Sequence, residues 1–361
     1  MASKSLSRLM GELRPGSPLF RHALRAAVAI TAAVALVRHL DLSHALWVPI
    51  TVLVVMRPSL GGTLNISWRR MAGTLTGVIL GVALAYLRLP ALAIGGLAFV
   101  MLFWMFYFKD RNYILFISFL TAPIVLILSS TFPQLWHSGA ERLFDTVLGL
   151  GIGLAAAFLV WPNFARKNLR KALGDLVAAQ HSHFRELRNA YFSDGPDMEA
   201  LLSDRIRART QLEAATEKCN DAAIEPGLVA RQRQELMNLV DVFSRIHGTF
   251  TAMASIVGRS SGGVRGAIRP ELEELMDTID ALYLQLEDYV RTGEETADAP
   301  EFKTCFNRFM VGVAQRRVQG AFDGFPLDSR NNASAFIRQI DRIGTGLVQA
   351  KNGLKSIRES R

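Results

Sequence analysis

Two ionisable side chains beside apolar sequence are the first candidates for chemistry in this chain. Arg142 and Asp145 lie three residues apart at the start of a stretch that is otherwise uncharged, a spacing that puts both side chains on one helix face. A pair of this kind serves either as a gate that a proton or an anion opens, or as a structural ion pair. His44, whose imidazole titrates near neutral pH, is the third candidate for proton coupling.

Three further arginines flank the boundary between two apolar stretches. Arg57 ends one stretch, and Arg69 and Arg70 begin the next. Because the guanidinium fork matches a carboxylate, these residues are candidate ligands for an organic anion, with Trp47 as an aromatic lining residue. Ordinary anchoring of cationic side chains at the cytoplasmic membrane surface is the alternative.

Six apolar stretches must position these residues. A bilayer core about 30 Å thick requires ~20 apolar residues per helix, and a helix satisfies its own backbone groups there. The stretches are Leu19–Val37, Leu40–Met56, Met71–Leu87, Leu89–Phe108, Tyr113–Ser130 and Leu143–Trp161. They predict an all-α protein with a cytoplasmic N-terminal segment (1–18), a six-helix transmembrane bundle (19–162) and a cytoplasmic α-helical domain (163–361). A re-entrant pair is the alternative for the first two stretches, which are short.

The excess of basic residues is concentrated in the membrane half. Residues 1–162 contain 13 Lys and Arg against 5 Asp and Glu, whereas residues 163–361 contain 28 against 27. If the N-terminus is inside, 14 Lys and Arg residues near the apolar stretches lie in the cytoplasm and three lie outside. Because cytoplasmic loops collect Lys and Arg, both termini are predicted to be cytoplasmic, with the bundle in a bacterial inner membrane. Charge placed in this way indicates a membrane partner and no nucleic acid.

The third and sixth apolar stretches match each other at a fixed offset. The four residues Arg70, Thr74, Gly77 and Gly81 recur 72 positions later as Arg142, Thr146, Gly149 and Gly153. The offset superimposes the first three stretches on the last three, and three crossings per repeat make the two repeats inverted, as in many transporters. The glycines, with Gly73, also form smooth helix faces, so tight helix packing alone is the alternative explanation.

The second half of the sequence predicts helices and no catalytic chemistry. Apolar residues recur with a helical period in six segments between residues 163 and 358. Because no phosphate loop, metal-ligand set or nucleophile–base arrangement is evident, we predict no enzyme, no cofactor and no metal. His181 and His183 are two residues apart, on different helix faces, and we expect both at the surface. Cys219 and Cys305 are expected to be thiols rather than a disulfide.

Three motifs in the membrane half resemble one known family. They are HALWVPIT at residues 44–51, RPSLGGT at residues 57–63 and RMAGTLTG at residues 70–77. Together they resemble the fusaric-acid-resistance-like family of integral membrane transporters, and the sixth stretch is similar to the closing motif of the same domain. The resemblance covers about residues 20–165.

The resemblance implies six membrane helices and export of organic, often aromatic, carboxylates. Longer bacterial members carry two membrane halves, so a single half implies a homodimer; the sequence gives no support for a periplasmic adaptor. We predict an inner-membrane exporter of small aromatic carboxylate anions, driven by the proton motive force, with the lipid bilayer and a second copy as partners. A passive organic-anion channel, and a membrane-anchored scaffold or sensor that acts through its cytoplasmic domain, are the alternatives.

The charge bias predicts the topology, which impermeant thiol labelling measures. In a background with both native cysteines replaced by alanine, Asp41→Cys and His137→Cys should react with the reagent from the periplasmic side. Asp110→Cys should react after the cells are opened and not before. Labelling of Asp110→Cys in intact cells would contradict both the orientation and the inverted repeat.

Overall fold

The structure is a computed structural model that describes residues 17–42, 46–131, 136–193, 197–257, 263–294 and 301–359. The chain divides into two compact units, Met1–Phe164, here called the membrane unit, and Ala165–Arg361, here called the second unit. Within the described residues every regular element is an α-helix, which confirms the predicted all-α class.

The membrane unit contains six helices in its described part. They are α1 (Pro18–His39), α2 (Trp47–Val55), α3 (Leu60–Ala85), α4 (Ala91–Phe108), α5 (Tyr113–Thr131) and α6 (His137–Leu159). Among the described residues, four helical segments are long and apolar enough to cross a membrane, namely Leu19–His39, Ala91–Phe108, Tyr113–Ser130 and His137–Leu159. They correspond to the first, fourth, fifth and sixth predicted stretches.

The second and third predicted stretches differ from the observed helices. Helix α2 has nine residues, which at 1.5 Å each extend about 14 Å, half of a bilayer core. It ends because Pro58 excludes helical backbone at the residue before it. Ser59 then caps α3 by accepting a hydrogen bond from the Gly62 amide at 3.1 Å. Helix α3 therefore begins eleven residues before the predicted Met71, and polar residues occupy its first half.

One glycine face lies on α3 and contacts α5. A Cβ built on Gly77 would lie 2.7 Å from the carbonyl oxygen of Ser118 and 2.7 Å from the Cβ of Thr121. Gly73 and Gly81, one turn to either side, meet α5 equally closely. Such separations are shorter than a side chain tolerates, so glycine is what permits this approach of two helices.

A second glycine face lies on α6 and contacts the short helix α2. A Cβ on Gly149 would lie 2.7 Å from the Cβ of Thr51 and 3.0 Å from the carbonyl oxygen of Val48, and one on Gly153 would lie 2.9 Å from a methyl of Val55. Both predicted glycine faces are therefore close helix contacts.

Gly77→Ala should destabilise the full-length chain in detergent by about 1–3 kcal/mol, because the new methyl group must displace the α5 backbone. Gly151→Ala is the matched control, since nothing lies within 4 Å of its added Cβ and alanine is about 1 kcal/mol better than glycine inside a helix. Thermal unfolding followed by fluorescence measures both. Equal melting temperatures for the two variants would show that α3 and α5 are not in close contact.

The second unit folds around its own apolar core. Its described helices are α7 (Ala165–Phe192), α8 (Met198–Ile224), α9 (Ala230–Val257), α10 (Gly263–Ala267), α11 (Arg269–Thr292), α12 (Phe302–Val318) and α13 (Leu327–Glu359). Large side chains from four of these helices, among them Phe184, Phe243, Tyr283 and Phe336, are buried in one cluster. Cys219 and Cys305 are free thiols, as predicted.

His181 and His183 are both buried, so the expectation that they lie at the surface was wrong. The two ring nitrogens of His181 are 2.9 Å from Glu287 and 3.0 Å from Asp280. Burial alone would lower the pKa of His181, but the hydrogen bonds to these carboxylates outweigh it and raise the pKa. Burial, together with the neighbouring charge of His247, lowers the pKa of His183 to about 4.

His183→Phe should stabilise the full-length chain. The phenyl ring keeps the edge-on contact with Phe250 and removes two ring nitrogens that have no hydrogen-bond partner among the described residues, a gain of about 1–3 kcal/mol. The gain should increase as the pH falls below 6.5, because unfolded His183 then binds a proton while the native side chain stays neutral down to about pH 4. Thermal unfolding at pH 5 and pH 7.5 measures the difference.

His181→Gln should show the opposite pH dependence. Because its pKa is raised in the native state, His181 stabilises the fold fully below its ordinary pKa and loses that effect as the pH rises through the raised value. The variant should therefore lose more stability at pH 6 than at pH 9. Two variants with the same pH profile as the parent would contradict the assigned pKa directions.

Candidate anion site in the membrane unit

Arg70 lies inside the membrane unit rather than at the head of a helix. Helix α3 begins at Leu60, so Arg70 is ten residues, or about 15 Å, along the helix axis. Its side chain is 3% exposed. Burial of a guanidinium at this depth is energetically unfavourable unless another group compensates its charge.

Arg142, the residue that matches Arg70 in the sequence repeat, is also buried. Its guanidinium carbon lies 3.8 Å from the centre of the Trp47 ring, a cation–π distance. Trp47 is the first residue of α2, so this contact joins the start of the short helix to α6. The indole holds one face of the Arg142 guanidinium and leaves its N–H groups for other partners.

Asp145 completes a group of charges with the two arginines. Arg142 lies within electrostatic range of both Arg70 and Asp145. Among the described residues of the membrane unit, Asp145 is the one buried acidic side chain. The structure therefore brings together four predicted site residues, Arg70, Arg142, Asp145 and Trp47, which we call the arginine centre.

Several donors at the arginine centre are not satisfied by the part of the chain that the structure describes. The Nε of Arg70, and the Nε and Nη1 of Arg142, are buried and have no hydrogen-bond acceptor among the described residues. The hydroxyl of Thr74, one turn after Arg70, is also buried and has no hydrogen-bond partner among the described residues. Since buried polar groups are normally paired, these donors are suited to an acceptor that carries negative charge.

The other predicted arginines do not belong to this centre. The Arg57 and Arg69 side chains are exposed, and the Arg69 guanidinium lies 5.9 Å from the Trp68 ring. The three arginines predicted to group at one mouth therefore differ in exposure: Arg70 is buried, whereas Arg57 and Arg69 are exposed. His44 lies outside the described residues.

Arg25 is a buried arginine whose role the sequence did not reveal. It is 2% exposed, and its Nη2 donates to the carbonyl oxygens of Arg57 at 2.7 Å and Pro58 at 2.9 Å. These carbonyls lie at the break between α2 and α3, where no helix supplies a donor. The signal in the sequence was an arginine within the first apolar stretch together with a proline break after the second.

No group of three or more His, Cys, Asp or Glu side chains with the arrangement of a metal site exists among the described residues. The donors of the arginine centre are cationic, which suits an anion and opposes a metal ion.

The sequence matches a family model within its membrane unit and several known proteins over longer stretches. Residues 30–156 match the family described as fusaric acid resistance protein-like. The inner membrane protein YccS of Escherichia coli is 25% identical over 297 residues, which cover 80% of this chain and 40% of that protein. An uncharacterized protein, ORF2, of Neisseria gonorrhoeae is 27% identical over 61% of this chain and 53% of its own length.

A further uncharacterized protein, from Haemophilus influenzae, is 30% identical over 43% of this chain and 22% of its own length. The chain thus spans between about a fifth and a half of the curated relatives that it matches. With the four apolar helices of suitable length, these matches support a multi-pass membrane protein whose membrane unit is similar to the fusaric acid resistance protein-like family.

Proposed function

We propose that the membrane unit exports small organic carboxylate anions, aromatic ones in particular, and that the arginine centre binds them. The single observation that carries this proposal is the excess of buried positive charge: two guanidiniums, Arg70 and Arg142, are buried together with one buried carboxylate, Asp145. Because arginine does not lose its proton at physiological pH, an anion is the natural group to balance the remaining charge.

The chemistry of the donors favours a carboxylate over a spherical anion. Guanidinium N–H groups lie in one plane and match the two oxygens of a carboxylate. Trp47 adds a half-buried aromatic ring to the same centre, which suits the ring of an aromatic acid. The donors are shielded from water, where a charge-assisted hydrogen bond is stronger than at a surface.

Asp145 is proposed as the gate of this site. While ionised it competes with the substrate for Arg142; once protonated it releases that guanidinium to the arriving anion. Arg142 is held in position by the Trp47 ring, so Arg70, whose Nε also lacks an acceptor among the described residues, is proposed as the primary ligand.

Flux of labelled benzoate in proteoliposomes tests the proposal. Arg70→Ala should lower flux about 10- to 100-fold, as expected when a hydrogen bond to a charged group worth about 1.5–3 kcal/mol is lost. Arg70→Lys keeps the charge and should lose less. Arg69→Ala, its exposed neighbour, is the matched control and should transport like the parent.

Asp145→Asn should flatten the pH dependence of flux, because the amide cannot titrate. The same proteoliposomes, measured with and without a pH gradient, distinguish coupled export from a passive channel, and the particle mass of the purified protein in mild detergent tests the proposed homodimer. Parent flux no higher than that of empty liposomes would favour the scaffold or sensor alternative. Full activity of Arg70→Ala would place the site elsewhere.

A further inference from the structure

The two glycine faces make equivalent contacts in the two halves of the membrane unit. Gly77 on α3 meets the Cβ of Thr121 and the carbonyl oxygen of Ser118, both on α5. Gly149 on α6 meets the Cβ of Thr51 and the carbonyl oxygen of Val48, both on α2. In each case the third helix of one half packs on the second helix of the other half, through the same kinds of atoms.

The residue numbers show that these contacts are related by one internal repeat. Gly149 follows Gly77 by 72 residues, and Thr121 follows Thr51 by 70. One turn further along, Gly81 meets Val125 of α5, and Gly153 meets Val55 of α2, with the same offsets of 72 and 70. Two successive contacts on each helix pair therefore superimpose, which a chance match of glycines in sequence does not produce.

Each threonine contacts the helix face on which the partner helix carries its arginine. Arg70 precedes Gly77 by seven residues, and Arg142 precedes Gly149 by seven. Seven residues are two helical turns, or about 10.5 Å along one face. Thr51 is also one turn after Trp47, the residue that holds Arg142.

The hydroxyls of Thr51 and Thr121 are buried polar groups. Thr51 is 0% exposed and Thr121 is 1% exposed, and neither hydroxyl has a hydrogen-bond partner among the described residues. Thr146 is equally buried, but its hydroxyl donates to the Arg142 carbonyl at 2.8 Å. Valine has the same shape as threonine without the polar atom, so packing alone would be served better by valine.

We infer that Thr51 and Thr121 are repeat-related hydroxyl donors that the carboxylate of the transported anion meets one after the other, one beside each arginine-bearing helix. This inference rests on the proposed function. It extends the anion site from the arginine centre to the two glycine contacts, so that the substrate meets one hydroxyl donor in each half of the membrane unit.

Thr51→Val and Thr121→Val, alone and together, test this inference in the benzoate flux assay. Each single variant should raise the KM for benzoate about tenfold, the effect of losing one hydrogen bond to a charged group, while the melting temperature stays equal to or above that of the parent. Thr51→Ser and Thr121→Ser retain the hydroxyl and should restore the KM. Thr146→Val is the matched control, with the same buried isosteric change and the parent's KM.

The possible results separate this inference from the proposed function. If the parent transports benzoate, Arg70→Ala does not, and both valine variants keep the parent's KM, the threonines are packing residues and this inference is wrong. An effect in one valine variant alone would overturn the equivalence of the two positions. If the parent itself carries no benzoate above empty liposomes, the proposed function fails first.

Discussion

Buried guanidinium charge is the constraint on which the membrane unit depends. Arginine keeps its proton, so its charge has to be balanced where it lies. Arg25 donates its Nη2 to two backbone carbonyls at the break after α2, and Arg142 contacts the Trp47 ring and lies within electrostatic range of Asp145. All three arginines, Arg25, Arg70 and Arg142, retain at least one buried guanidinium nitrogen without an acceptor among the described residues. The unit is thus built around positive charge that its described side chains do not fully neutralise.

The two halves hold their arginines differently, although their glycine contacts match. On α5, Ile117 occupies the position that Trp47 occupies on α2, 70 residues earlier, and it contacts Gly73. Arg142 therefore gains a cation–π contact in one half, whereas the equivalent place in the other half is aliphatic. The arginine that binds and then releases an anion should be the less firmly held of the two arginines. This favours Arg70 for binding and Arg142 for positioning.

The sequence predicted the features that follow from local pattern. Long apolar helices and the glycine faces were evident because hydropathy and four-residue spacing directly report burial and close approach. Burial of individual polar side chains was not evident, because it depends on which helices become neighbours. Arg69 and Arg70 are adjacent in sequence and opposite in exposure, and Arg25 needed the carbonyls of a distant break. His181 and His183 were misplaced for the same reason, since their partners lie on other helices.

The charges at the arginine centre also bear on how export is driven. Protonation of Asp145 and binding of an anion each reduce competition for Arg142, so within the proposed mechanism the two events favour each other. Positive coupling of this kind would move a proton and an anion in the same direction. An inward proton gradient would then oppose export. The membrane potential, negative inside, instead favours exit of an anion by about 2.3 kcal/mol per charge at 100 mV. Asp145 therefore fits a pH-sensitive gate on potential-driven export better than it fits a carrier of counter-moving protons.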